Sequence, residues 1–153
     1  MAVSEQLAQL AGEWSGTSRL WLSPEEPARE SPSTLSASLV ANGKFLALRY
    51  RWAEDGPQEG LIVLGAEARG DRVRASWVDS WHMGHAMMSC EGALDADGSA
   101  SVKGSYPAPP GPDWGWRIVI APIDRDGFRL RMFNITPEGE EQLAVDATYA
   151  RKH

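Results

Sequence analysis

The chain has 153 residues and a net charge of −6, enough length for one domain with its own core, and the acidic balance with no block of Lys or Arg disfavours a general nucleic-acid role. Cys90 is the single cysteine, so no internal disulfide can form and a reducing compartment fits. The longest purely aliphatic run, Leu61 to Leu64, is far short of a membrane span, and the start shows no basic stretch followed by an apolar one, so a cytoplasmic protein with no membrane partner is expected.

Taken in order, Ser4 to Ala11 sets Val3, Leu7, Leu10 and Ala11 at near-helical spacing, with Ser4 as the N-cap. Two turns of helix do not hold alone in water, so the segment is expected to dock, most simply across one end of a barrel. From Trp14 the period drops to two. Trp14, Gly16, Ser18, Leu20 and Leu22 share one face. Pro24 to Pro32 reads as a polar loop, and Ser33 to Ala41 as the next strand. Asn42-Gly43 is the sharpest turn signal, because both residues tolerate the positive φ of a type I′ hairpin. The following strand puts Lys44, Leu46, Leu48, Tyr50 and Trp52 on one face and Phe45, Ala47, Arg49 and Arg51 on the other.

Asp55-Gly56 turns the chain into Gln58 to Ala66, and Arg69-Gly70-Asp71 turns it into Arg72 to Trp81. A turn containing Gly84 leads to His85 to Gly92, and Asp97-Gly98 to Ser99 to Tyr106. After a proline-rich loop, Pro107 to Pro112, come Trp114 to Ala121, Phe128 to Ile135 and Glu141 to Arg151. About ten short strands at regular spacing, with one small helix at the start, predict an all-β antiparallel meander in one domain over residues 1–153. An up-and-down barrel removes exposed edges. A sandwich is the alternative that periodicity alone leaves open.

Gly12-Glu13-Trp14 at the first strand and Arg151 at the end of the last resemble the closed ends of calycin barrels, the lipocalins and fatty-acid-binding proteins. The resemblance implies that Trp14 plugs one end and that Arg151 packs across its ring, adding a cation–π attraction of roughly 0.5–2 kcal/mol. Further residues recur in one order: Gly12-x-Trp14-x-Gly16, Gly43-x-Phe45-Leu46, Gly60 to Gly65, Trp77-Val78-Asp79-Ser80, Glu91-Gly92, Asp97-Gly98, Gly104 and Thr148-Tyr149-x-Arg151-Lys152. With these the chain resembles a bacterial family, domain of unknown function 1579. That implies a calycin-like fold and assigns no activity. His82 to Met88 and Pro107 to Trp116 lie outside the resemblance.

Chemistry is densest in Trp77-Val78-Asp79-Ser80-Trp81-His82-Met83-Gly84-His85. On a strand Trp77, Asp79 and Trp81 share a face. If that face is interior, burial raises the Asp79 pKa, and Asp79 becomes a ligand anchor or an acid/base group. The plainer reading makes it an acceptor for an indole or backbone N–H near a strand end. His82 and His85 would face each other only across a tight turn centred on Met83-Gly84. There they could hold a transition metal with Asp79 or Cys90 as third ligand. Two exposed turn histidines are the plainer reading. Haem through His82, His85 or His153 is a further thought without a matching motif, and no cofactor is expected. Arg49, Arg51, Arg129 and Arg131 read as water-facing, since Phe128, Leu130 and Met132 form the more apolar face. Tyr106, Trp114 and Trp116 bracket the proline-rich loop, either lining a pocket or plugging one end.

No Gly-x-Ser-x-Gly, Walker loop, dinucleotide fingerprint or Cys-x-x-Cys is present. Seven Trp in a barrel point to binding of a small hydrophobic or aromatic molecule, lined by Tyr50, Trp77, Asp79, Trp81, Trp114 and Trp116. Gly12, Trp14 and Arg151 form the structural end. The alternatives are an enzyme using Asp79 with His82 or His85 as acid/base pair, and a filled barrel acting as an interaction or homo-oligomerisation unit.

Overall fold

The computed structural model describes residues 4–67 and 70–153. One helical turn, α1 (Glu5–Ala8), precedes ten strands: β1 (Gly12–Leu20), β2 (Arg29–Val40), β3 (Phe45–Ala53), β4 (Pro57–Ala66), β5 (Arg72–Asp79), β6 (Met88–Leu94), β7 (Ala100–Tyr106), β8 (Trp114–Asp124), β9 (Gly127–Ile135) and β10 (Glu141–Arg151). Each strand pairs antiparallel with its neighbour in sequence, and β1 closes on β10. The result is an up-and-down barrel, the architecture that the alternating runs and closely spaced turns require. No described helix is long and apolar enough to cross a membrane.

Alternation decides what fills the barrel. Leu46, Leu48, Tyr50 and Trp52 on β3, Ile62 and Leu64 on β4, and Phe128, Leu130 and Met132 on β9 are all buried. The residues between them face water, including exposed Arg49 and Arg51, while Arg129 pairs with Asp146 on the outer surface. The interior is packed. Between Leu20, Tyr50, Trp52, His82, Leu130 and Tyr149 remains a void of about 10 Å³, at the lower limit for a single water.

The end that carries α1 is the floor. Ser4 caps the helix by accepting from the Leu7 N–H at 3.3 Å, and Leu7 and Leu10 point into the core. The Trp14 indole donates to the Leu10 carbonyl at 2.8 Å and meets Phe128 edge-on at 4.8 Å. Arg151 lies 4.3 Å above the Trp14 ring and donates to the carbonyls of Gln9, Ala11 and Arg125. Gly12 makes this possible. Its φ is +139°, and a Cβ there would come within 2.8 Å of the Arg151 guanidinium. The helix docking, the Trp plug and the arginine therefore form one interlocked closure, as the calycin resemblance implies.

Several element boundaries differ from the sequence expectation. β2 begins at Arg29, inside the supposed polar loop, with Pro32 opposite Thr17. Its ladder to β3 starts only at Thr34, opposite Arg51, so Pro32 has one paired side and its missing N–H breaks no bond on the other. The β2–β3 connection spans Val40 to Phe45 and carries three positive φ values, at Ala41, Asn42 and Gly43, rather than two. Val3 and Arg69, which figured in the expected helix and turn, lie outside the described residues. β5 stops at Asp79, two residues short of the expected Trp81, and β6 starts at Met88 rather than His85 and runs on to Leu94 rather than Gly92. The reason lies at the mouth.

The mouth, opposite the floor, carries the β1–β2, β3–β4, β5–β6, β7–β8 and β9–β10 connections. One seam runs into the wall from this end. The β6–β7 ladder joins residues 91–94 to 100–103 only, so residues 88–90 of β6 are held by β5 alone.

Candidate functional site: an aromatic box at the mouth

The site is assembled from three strands and a loop. In register, Tyr50 of β3 lies opposite Gly60 of β4, and Gly60 opposite Asp79 of β5. Gly60 is the gap in that row: a Cβ there would fall 2.2 Å from the Tyr50 hydroxyl. The tyrosine therefore lies across the glycine and donates to Asp79 Oδ2 at 2.6 Å, while accepting from the Trp77 indole at 2.8 Å. The other oxygen, Oδ1, accepts the backbone N–H groups of Trp81 and His82, both at 2.8 Å. This is an Asx-type turn. It ends β5 and throws the β5–β6 loop inward over the barrel.

That loop carries His82 into the mouth. Its ring is surrounded by four indoles, with centroids at 4.8 Å (Trp81), 5.4 Å (Trp116), 5.6 Å (Trp52) and 5.8 Å (Trp77). Trp77 and Trp116 stack nearly parallel, 9° apart at 5.2 Å, and Trp81 meets Trp52 edge-on. The His82 side chain is 10% exposed and that of Asp79 is fully enclosed. Nδ1 of His82 lies 3.1 Å from Asp79 Oδ1, inside ion-pair range but off the line of a hydrogen bond, so neither ring nitrogen has a directed partner.

Burial alone pushes the Asp79 carboxyl up. The His82 imidazole close beside it, then the Tyr50 hydroxyl and the His82 backbone N–H, outweigh it and hold Asp79 below its ordinary value of 3.8. The rise expected from the sequence is therefore reversed, because the loop that returns over the indole pair brings His82 and two backbone N–H groups onto the carboxylate. Burial, then the Asp79 charge, push the Tyr50 phenol well above 10.0, so Tyr50 stays a donor to a carboxylate.

Unpartnered polar groups concentrate here. Among the described residues, the buried side-chain nitrogens without a hydrogen-bond partner are Trp52 Nε1, Trp116 Nε1, both ring nitrogens of His82, and Arg131 Nε. All but the last belong to the box. Buried polar groups are nearly always paired, and among the described residues the exceptions gather at this box.

Of the residues named from the sequence, Tyr50, Trp77, Asp79, Trp81 and Trp116 come together, and His82 joins them. His85 does not: it lies exposed on the loop, so the two histidines never face each other. Among the described residues no group of three or more His, Cys, Asp or Glu side chains converges as metal ligands. Cys90 is buried on β6, and burial pushes its thiol up to about 11, which disfavours the thiolate a metal requires. The residues do not fit haem either, since His82 is enclosed by indoles and the free volume beside it is about 10 Å³. Trp114 sits at the first rung of β8, opposite Tyr106 and half-buried, outside the rings around His82. Trp52 was not among the expected ligand-lining residues. Its inward face was legible from alternation with Tyr50, but its proximity to β5 and β8 depends on barrel closure.

The sequence matches, over residues 2–151, the family described as protein of unknown function (DUF1579). No curated protein matches it. Among solved structures, the chain is similar to the S-type phycobiliprotein lyase CPES from Guillardia theta. The TM-score is 0.66 at 16% identity, covering 100% of this chain and 94% of that one. It is also similar to Rv2717c from M. tuberculosis, with a TM-score of 0.65 at 16% identity, covering 99% of each. At that identity the likeness is one of fold.

Proposed function

Since the chain belongs to the family described as protein of unknown function (DUF1579), whose description assigns no activity, we propose from the site itself that it is a small-molecule-binding barrel whose ligand enters the aromatic box at the mouth. The observation that carries this reading is the filler of the box. A loop residue, His82, occupies a space framed by indoles from three strands, and the buried indole N–H groups of Trp52 and Trp116 beside it lack partners. The three strand-borne indoles, Trp52, Trp77 and Trp116, offer a ligand stacking area that few other side chains match. Fold-level analogy points the same way, since one neighbour is a phycobiliprotein lyase.

Entry requires the β5–β6 loop to swing out. The seam favours this, because the first residues of β6 lack a β7 partner. The loop is tied at its base by two N–H bonds to Asp79. Asp79 and His82 as an acid/base pair have less support: Oδ1 already holds the loop through two backbone N–H groups, and no directed hydrogen bond links the imidazole to the carboxylate.

A filled barrel acting through its surface is the second reading, favoured by the void of about 10 Å³ and by exposed Leu39, Val40 and Phe45 at one hairpin. Native mass spectrometry of freshly purified protein separates the two. The binding reading expects a surplus mass that leaves on denaturation and is diminished in Trp116→Ala. A bare chain or bare oligomer at every desalting time would contradict it and favour the filled barrel.

A further inference from the structure

His82 occupies the box as a ligand would. Its ring is flat and nitrogen-bearing, and is the only group in ion-pair range of Asp79 among the described residues. The other partners of that carboxylate are the Tyr50 hydroxyl and two backbone amides, all neutral donors. The walls are four indole rings, whose faces carry negative quadrupole charge.

We propose that the box is built for a small, flat organic cation, a charged nitrogen heterocycle of one ring, and that His82 is a tethered competitor which such a cation displaces. The proposal rests on the small-molecule reading above and adds the chemical class. The argument is one of replacement. When His82 leaves, a buried carboxylate loses the one partner that can carry positive charge. A neutral hydrocarbon in its place leaves that loss uncompensated, which is costly for an enclosed carboxylate. A cation restores the pairing with Asp79 and gains the attraction of the indole faces. Flatness follows from the group it replaces, the imidazole ring of His82 held among the indoles. The limit of one ring follows from the small void beneath.

N-methylpyridinium and toluene have nearly the same shape and differ in charge, so they test the class directly. In His82→Ala, isothermal titration is expected to show one N-methylpyridinium per chain, bound at least tenfold more tightly than toluene. Wild type should bind the cation at least tenfold more weakly than His82→Ala, because its own imidazole competes. Adding Asp79→Asn to His82→Ala should erase the preference for the cation. Equal or tighter toluene binding, or a preference untouched by Asp79→Asn, would overturn the cation class while leaving the small-molecule reading standing. Binding of neither probe in any variant would end both. Should His82→Ala not fold, the wild type carries the test. Hydrogen exchange over residues 80–87 is then expected to speed up with N-methylpyridinium and not with toluene. No change with either, or the reverse order, would count against the proposal.

Discussion

A methyl group at position 60 would sit 2.2 Å from the Tyr50 hydroxyl. Because the tip of a side chain gives way more readily than a strand, Gly60→Ala is expected to displace Tyr50 from Asp79 rather than open the sheet, at a cost of about 1–3 kcal/mol. Chemical denaturation measures this, and the cost should shrink in a Tyr50→Phe background, since the bond is already gone. Asp79 works in the opposite sense to an isolated buried carboxyl. Its folded value lies below the ordinary 3.8, so the carboxylate adds stability above about pH 3.8, lost as pH falls through the lower folded value. Asp79→Asn should therefore cost about 1.5–3 kcal/mol near neutrality, and the gap to wild type should close in acid unfolding curves. Tyr149 marks the alkaline side. Burial pushes its phenol from 10.0 up to about 12, so the stability it contributes is present below pH 10.0 and lost as pH rises towards 12. Tyr149→Phe should blunt alkaline unfolding in that window, followed by circular dichroism.

Elements act as two closures of different character. At the floor, α1, the Trp14 plug and the tip of β10 hold one another through hydrogen bonds and ring contacts. Trp14→Ala should cost about 3–5 kcal/mol as a core truncation. Arg151→Lys is not conservative here, because one ammonium cannot reach three carbonyls while lying over an indole. A melting temperature unchanged by Trp14→Ala would contradict the floor as described. At the mouth, the β5–β6 loop is pinned chiefly at its base by Asp79 and by burial of Trp81 and His82, and it borders the unpaired start of β6. Hydrogen exchange should accordingly rank the loop and residues 88–90 as faster than the β8–β9–β10 wall, whose ladders run nearly unbroken. Equal protection would mean the loop is part of the rigid barrel and not its gate.

At the scale of the whole molecule, the barrel is a packed core with one closed floor and one aromatic mouth. Much of this was legible in the residues. Period-two runs such as Leu46-x-Leu48-x-Tyr50-x-Trp52 gave the inward faces, and Gly12-x-Trp14 with Arg151 gave the floor. Strand boundaries were less legible, because side chains set them: Asp79 ends β5 by taking the N–H groups that would otherwise continue it. The site was legible as a list of aromatic residues around Asp79. Its composition was not, because Trp52, Trp77 and Trp116 meet only when strands distant in sequence close into a ring. Trp114 looked equal to Trp116 in sequence, yet sits a rung outside the box. Nothing local announced that His82 rather than His85 turns inward; that follows from the Asx-type turn at the strand end.

The central claim, that the mouth box is the binding site, is tested most directly by the indole N–H signals in a ¹H–¹⁵N spectrum. Seven are available, and Trp14 at the floor is a built-in control. On titration with N-methylpyridinium and toluene in parallel, the signals of Trp52, Trp77, Trp81 and Trp116 are expected to move together with one of the probes, with that of Trp14 unmoved. Saturating shifts confined to Trp14, Trp21 or Trp114, or no saturable shift with either probe, would contradict the account.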